Sequence, residues 1–170
     1  MDYFIDFETH SEVDVRDVGP HAYARDPTTG IIILGWAAGE GPVRIEKPPM
    51  ARLPFRFNPR EDRLISHNIE FELAIIKQFF PEEKIPFSKV YDTAALSVHA
   101  GLPSSLDEAG ESLGIANKKI KFNWKDYTEE QLFEYCRQDV KACRELFRKL
   151  PEMTPRERQI FIAHLIINFR

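Results

Sequence analysis

Residues 3–7, Tyr3-Phe4-Ile5-Asp6-Phe7, run on into Glu8 and Thr9. Aromatic and β-branched residues surrounding a single carboxylate predict a buried strand. Alternate side chains on a strand share a face, so Asp6 and Glu8 are neighbouring anions, with Ile5 and Phe7 turned the other way. Two carboxylates that close repel each other unless a cation sits between them. Hard oxygen ligands of this kind suit Mg²⁺ or Mn²⁺. The plainer alternative is that the strand has ended and both acids are solvated.

Outward from this strand, residues 31–38 (Ile-Ile-Ile-Leu-Gly-Trp-Ala-Ala) predict a second strand between Gly30 and Gly39. Val43–Glu46 can pair with it across the Gly39-Glu40-Gly41-Pro42 turn. Four prolines within residues 47–60 make that stretch a loop. Short strands follow at Leu64–Ser66 and Lys89–Asp92. Helices are predicted over 69–80, 93–99, 105–113 and 128–150, and from 154 onward. Thr128 with Gln131, and Thr154 with Glu157, form capping boxes at the last two. Strands first, then strands alternating with helices, indicate an α/β fold with a mixed β-sheet flanked by helices.

The chain has 170 residues, 43% of them apolar, which is enough for one domain with a real core. No apolar run approaches the roughly 20 residues of a membrane span. The acidic N-terminus lacks the basic region of a secretory signal. Cys136 and Cys143 are the only cysteines, which suits a reducing compartment and argues against a disulfide scaffold or a structural zinc site. The net charge of −4 argues against a protein that grips nucleic acid through overall positive charge. The distribution is uneven: residues 1–117 carry 11 basic and 19 acidic side chains, residues 118–170 carry 12 and 8. Carboxylates for cations at the front and lysines for phosphates at the back fit an enzyme acting on a polyanion, although an uneven solvated surface has the same look.

Two further carboxylate motifs follow. His67-Asn68-Ile69-Glu70-Phe71-Glu72 lies where a strand hands over to a helix. Asn68 as a cap and Glu70 against the helix dipole account for part of it. Glu72 shares the face of Ile75, Ile76 and Phe79, which a solvated acid would not. In the 128–150 helix, Phe133, Cys136, Val140, Cys143, Phe147 and Leu150 form an apolar seam. Beside it, Leu132, Tyr135, Asp139, Ala142 and Leu146 form a stripe whose single charge is Asp139. A carboxylate on the edge of a buried face needs a counter-charge, and Tyr135, one turn earlier, can reach the same point.

Taken together, Asp6-Phe7-Glu8, then Asn68 to Glu72, then Tyr135-Cys136-Arg137-Gln138-Asp139 resemble the motifs of the DEDD 3′–5′ exonuclease superfamily, which has an RNase H-like fold. Tyr135 four positions before Asp139 resembles its tyrosine subclass. Asp92-Thr93-Ala94-Ala95-Leu96, Leu102-Pro103-Ser104-Ser105-Leu106 and Leu113-Gly114 extend the likeness to the proofreading exonuclease domain of phage-type family A DNA polymerases. It covers nearly the whole chain. One departure is Glu72, where many members have Asp.

The resemblance implies an RNase H-like exonuclease domain over residues 1–150. Residues 151–170 would be a C-terminal helix that begins, or remains from, a connection to a polymerase domain. It implies that Asp6, Glu8, Glu72 and Asp139 hold two divalent cations, Mg²⁺ or Mn²⁺, ~3.5–4 Å apart in sites of this type. Tyr135 would orient the attacking water. Thr9, Asn68 and Phe71 would contact the terminal nucleotide, although Thr9 could equally cap a turn and Phe71 belong to the core. Lys118, Lys119, Lys121, Phe122, Trp124, Lys125 and Tyr127 have the basic and aromatic composition that holds single strands, or that of an ordinary basic loop. The expected activity is release of 5′-mononucleotides from single-stranded DNA ends in the cytoplasm of a bacterial or phage-infected cell, with a polymerase in cis or in trans. An RNase D-like exoribonuclease and a non-catalytic nucleic-acid-binding remnant are the alternatives. Four crowded carboxylates predict a site that is strained without cations, with at least one acid harder to ionise than usual.

Overall fold

The computed structural model describes residues 1–115 and 126–169. Five strands form one mixed sheet: β1 (Asp2–His10), β2 (Gly30–Ala38), β3 (Arg44–Glu46), β4 (Arg63–Ser66) and β5 (Val90–Asp92). Their order is β3-β2-β1-β4-β5. β1 pairs antiparallel with β2 and parallel with β4, placing it at the centre. The helices are α1 (Val15–Arg25), α2 (Ile69–Phe79), α3 (Thr93–His99), α4 (Leu106–Ser112), α5 (Glu129–Lys149) and α6 (Pro155–Asn168). Thr128 and Thr154 close the capping boxes read from the sequence.

The period-2 alternation of the strands divides the core in two. Ile5 and Phe7 of β1, Leu34 and Trp36 of β2, Leu64 and Val90 face the larger cluster, built with Tyr23 of α1, Leu73 and Ile76 of α2, and Leu165 of α6. Phe4, Ala37 and Ile65 face the other way, onto Val140 and Cys143 of α5. Ile33 meets Leu132 and Cys136 on that same face. Asp6 and Glu8 are in phase with Phe4, so the sheet's pleat aims both acids at α5. The helix approaches closely there. A Cβ at Gly35 would lie 2.5 Å from Cys136 Sγ and 3.1 Å from Val140 Cγ2, so the position requires glycine.

Two findings differ from the sequence reading. Helix α1 has no counterpart in it. Gly19, with φ 77°, and Pro20 break α1 into two short segments, so no helical repeat is legible there. Asn68 occupies the N-cap of α2, yet its side chain makes no capping hydrogen bond and its backbone is left-handed, φ 65° and ψ 53°. Asn68 N–H donates instead to Asp92 Oδ1 at 3.0 Å. Helix α6 lies on the larger cluster through Leu165, Phe161 and Phe169. Ile166, on the same helix, is exposed. Arg158 of α6 donates to the carbonyls of Ser88 and Val90 and stacks 3.9 Å from the Tyr91 ring centroid, covering the edge of β5. Among the described residues, no helix is long and apolar enough to cross a membrane.

Candidate active site

β1 outlasts its neighbour on one side. β4 pairs only with Asp2, Tyr3 and Phe4, so the β1 backbone beyond Phe4 has an open edge towards α2. Phe7 N–H points into that opening and donates to Glu72 Oε2 at 3.2 Å. Glu72 sits in the first turn of α2 and is 2% exposed. The unpaired strand edge thus explains how an acid can share a face with the core: its carboxylate satisfies a backbone donor that the sheet has released. From the opposite side, α5 presents Tyr135 and Asp139. Three elements that are distant in sequence therefore converge on the end of one strand.

The result is a nest of acids, with Glu72 buried and Asp6, Glu8 and Asp139 partly so. Asp6 Oδ2 is enclosed and has no hydrogen-bond partner. Burial, above all, pushes the Asp6 carboxyl upward. Glu8 is raised by burial and then by the charges of Asp6 and Asp139. Glu72 is held well above the usual carboxylate range by burial and by Asp6, against the lowering effect of the Phe7 N–H. Burial, followed by the Asp139, Glu8 and Asp6 charges, raises the Tyr135 phenol, which donates a hydrogen bond to Asp139. The crowding expected from the sequence is present. All these shifts have the sign that a bound cation would reverse.

Asp6, Glu8 and Cys136 each place one ligand atom within 4.8 Å of the others. Acids that repel, an oxygen without a partner, and two carboxylates among the three clustered groups fit a hard divalent cation. Cys136 was legible only as part of the apolar seam of α5. Its place beside the acids depends on how close α5 comes to Gly35, which no sequence spacing reveals.

The remaining candidates lie around this nest. The β1–β2 register shifts between Glu8 and Thr9, a local irregularity that re-aims the end of the strand. Thr9 Oγ1 lies 2.8 Å from Tyr23 Oη of α1, and the Phe71 ring is 5.7 Å from that of Tyr23. Thr9 is thus paired to α1 and does not cap a turn, while Phe71 is half-buried against the larger cluster. Asn68 is exposed at the start of α2. Tyr23, which joins Thr9 to Phe71, was missed because its helix was missed. Arg137 lies 3.8 Å from Glu134. Of the basic and aromatic stretch, Lys118, Lys119, Lys121, Phe122, Trp124 and Lys125 lie outside the described residues, and Tyr127 packs with Ile33 and Leu132.

Comparison with known proteins follows the same lines. No family model matches the chain. A DNA polymerase of Bacillus phage SP02 is 27% identical over 171 residues, which span 95% of this chain and 25% of the polymerase. The chain therefore corresponds to about a quarter of the curated relative it matches. Brucella melitensis NrnC bound to pGG superposes with a TM-score of 0.62 at 20% identity, over 99% of this chain and 84% of that one. The structure of NrnC with bound Mg²⁺ gives the same TM-score at 17% identity, over 99% and 85%. An apo form described as that of the nuclease matches equally, with a TM-score of 0.62 at 17% identity. The fold is the RNase H-like one, and these likenesses agree with the resemblance to DEDD-type exonucleases.

Proposed function

We propose that this protein is a metal-dependent 3′–5′ exonuclease that removes 5′-mononucleotides from single-stranded DNA ends, in the manner of a proofreading domain. The observation that carries the reading is the convergence of Asp6, Glu8, Glu72 and Asp139 with Tyr135 from β1, α2 and α5, with an unpartnered carboxylate oxygen at the centre. Support for a cation and a nucleic-acid ligand comes from the neighbour, whose structures include bound Mg²⁺ and bound pGG. Support for DNA comes from the phage polymerase aligned along nearly the whole chain.

Bound divalent cations would supply charge neutralisation for the scissile phosphate and a water of lowered pKa. The chain's own residues provide the rest. Asp6, Glu8, Glu72 and Asp139 hold the cations. The Phe7 N–H keeps Glu72 turned towards the strand. Tyr135, donating to Asp139, has its hydroxyl beside the carboxylates, where it would orient the attacking water. The Thr9–Tyr23–Phe71 group flanks the acids where a terminal nucleotide would lie.

The second reading, an RNase D-like exoribonuclease, uses the same carboxylates and is favoured by the fold match to the pGG-bound neighbour. Discrimination would rest on contacts to the 2′-hydroxyl. One experiment separates the readings. A 5′-labelled single-stranded DNA oligonucleotide and its RNA equivalent are incubated with the protein in Mg²⁺, Mn²⁺ or EDTA, beside Asp139→Ala. A metal-dependent ladder that shortens from the 3′ end, faster on DNA and lost in the variant, is the expected result. Faster shortening of RNA selects the second reading, and intact strands in every lane overturn both.

A further inference from the structure

We propose that Cys136 makes the carboxylate site a mixed oxygen–sulfur pocket, able to capture a thiophilic divalent cation such as Zn²⁺ through Asp6, Glu8 and the Cys136 sulfur in competition with a hard cation. The proposal rests on the reading of these carboxylates as a cation site.

The geometry is specific. Cys136 is fully buried in α5, and its Sγ lies within 4.8 Å of ligand oxygens from both Asp6 and Glu8. Its thiol donates to the Asp6 carbonyl at 3.5 Å. It is seated over Gly35, where a Cβ would come within 2.5 Å of the sulfur, so the sheet fixes its position. Asp6 Oδ2, enclosed and without a hydrogen-bond partner, supplies an independent vacant acceptor at the same place. Around tetrahedral zinc, with Zn–S ≈ 2.3 Å and Zn–O ≈ 2.0–2.2 Å, ligand atoms lie roughly 3.3–3.7 Å apart. Closing from the observed separation needs side-chain adjustments on the order of 1 Å, within the reach of Glu8.

Ligand chemistry then sorts the ions. Mg²⁺ and Mn²⁺ favour the carboxylates alone, whereas Zn²⁺ and Cd²⁺ gain from sulfur. On capture a sulfur–metal bond forms, the S–H bond breaks, and the proton passes to buffer. The other thiol, Cys143, is elsewhere on α5, 3.5 Å from Thr93 Oγ1, and takes no part.

The test uses Cd²⁺ as probe, because a cadmium–thiolate bond has a near-ultraviolet charge-transfer band. The protein is titrated with Cd²⁺ while Mn²⁺ binding is followed separately by electron paramagnetic resonance. The expected result is a thiolate band saturating at one equivalent, retained in Cys143→Ser, and lost in Cys136→Ser together with at least a ~10-fold drop in Cd²⁺ affinity. If Cys136→Ser does not fold, ¹¹³Cd NMR of Cys143→Ser, whose single thiol is Cys136, decides: a resonance of a sulfur-ligated ion supports the proposal and an all-oxygen resonance overturns it. Mn²⁺ binding without any thiolate band overturns the mixed pocket and leaves the carboxylate reading intact. Binding of neither ion overturns both.

Discussion

Ile5 and Phe7 leave β1 for the large cluster beneath α1, α2 and α6, while Asp6 and Glu8, one residue out of phase, face α5. On the first face Phe7 stacks on Phe80 with ring centroids 6.1 Å apart, within a cluster of mostly apolar side chains. On the second, partly buried acids are gathered, and with Glu72 of α2 they raise one another's pKa. The strand's two faces thus do opposite work. One lowers the free energy of the fold by burying hydrocarbon. The other raises it, by burying charges whose partner is a ligand.

This contrast can be broken by substitutions of opposite sign. Asp139→Ala should lower strand cleavage by about 10³-fold or more, equivalent to ~4 kcal/mol of barrier, while making metal-free protein more resistant to urea. Activity gels and unfolding midpoints measured on the same preparation check both halves. Phe7→Ala should cost about 3–5 kcal/mol of stability in the same unfolding assay, with or without Mg²⁺, because it removes an aromatic ring from a dense core. An Asp139→Ala protein less stable than the parent without metal would erase the difference between the faces. Tyr135→Phe should slow cleavage by about 10²-fold and leave Mn²⁺ affinity unchanged, since the hydroxyl positions water and is not assigned to the cation.

Acidity sharpens the contrast further. Asp6, Glu8 and Glu72 keep protons in the folded state that the unfolded chain has already released. The folded state then binds more protons than the unfolded one, so metal-free stability falls as pH rises above the ordinary carboxylate range near ~4. Unfolding midpoints at pH 5 and pH 8.5 should show that loss, and saturating Mg²⁺ should cancel it. Glu8→Gln should flatten the slope. Asp14 is the opposite case. Hydrogen bonds from Arg16 lower its pKa to about 2, so its contribution is present above the unfolded value and lost as pH falls through the folded one. The smallest effect is expected far from either face. Thr128→Ala at the start of α5 should cost about 1 kcal/mol through its cap, with cleavage unchanged.

The five strands and the helices α2 to α6 were legible because each has its own local mark: alternation, an apolar run between glycines, a capping box. Helix α1 was not, because Gly19 and Pro20 erase the repeat that would announce it, and Tyr23 was lost with it. The four carboxylates and Tyr135 were legible as a set of motifs in order, although the role of Asn68 as a side-chain cap was not borne out. Two histidines far apart in the chain also converge: His21 lies 3.4 Å and His164 3.7 Å from Glu70, joining α1 and α6 to α2. That grouping spans three elements and leaves no pattern along the chain.

Residue type and period were enough to assign the elements, to put Asp6 and Glu8 on one face and to set Glu72 and Asp139 on buried stripes. They could do this because helical and strand geometry act over a few residues. The meeting of those acids is a different kind of fact. It depends on β4 ending early enough to free the Phe7 N–H for Glu72, and on a glycine at position 35 that lets α5 bring Cys136 and Asp139 down onto β1. Such distances follow from how whole elements pack, through close contacts between residues 100 or so positions apart, and no local rule along the chain encodes them.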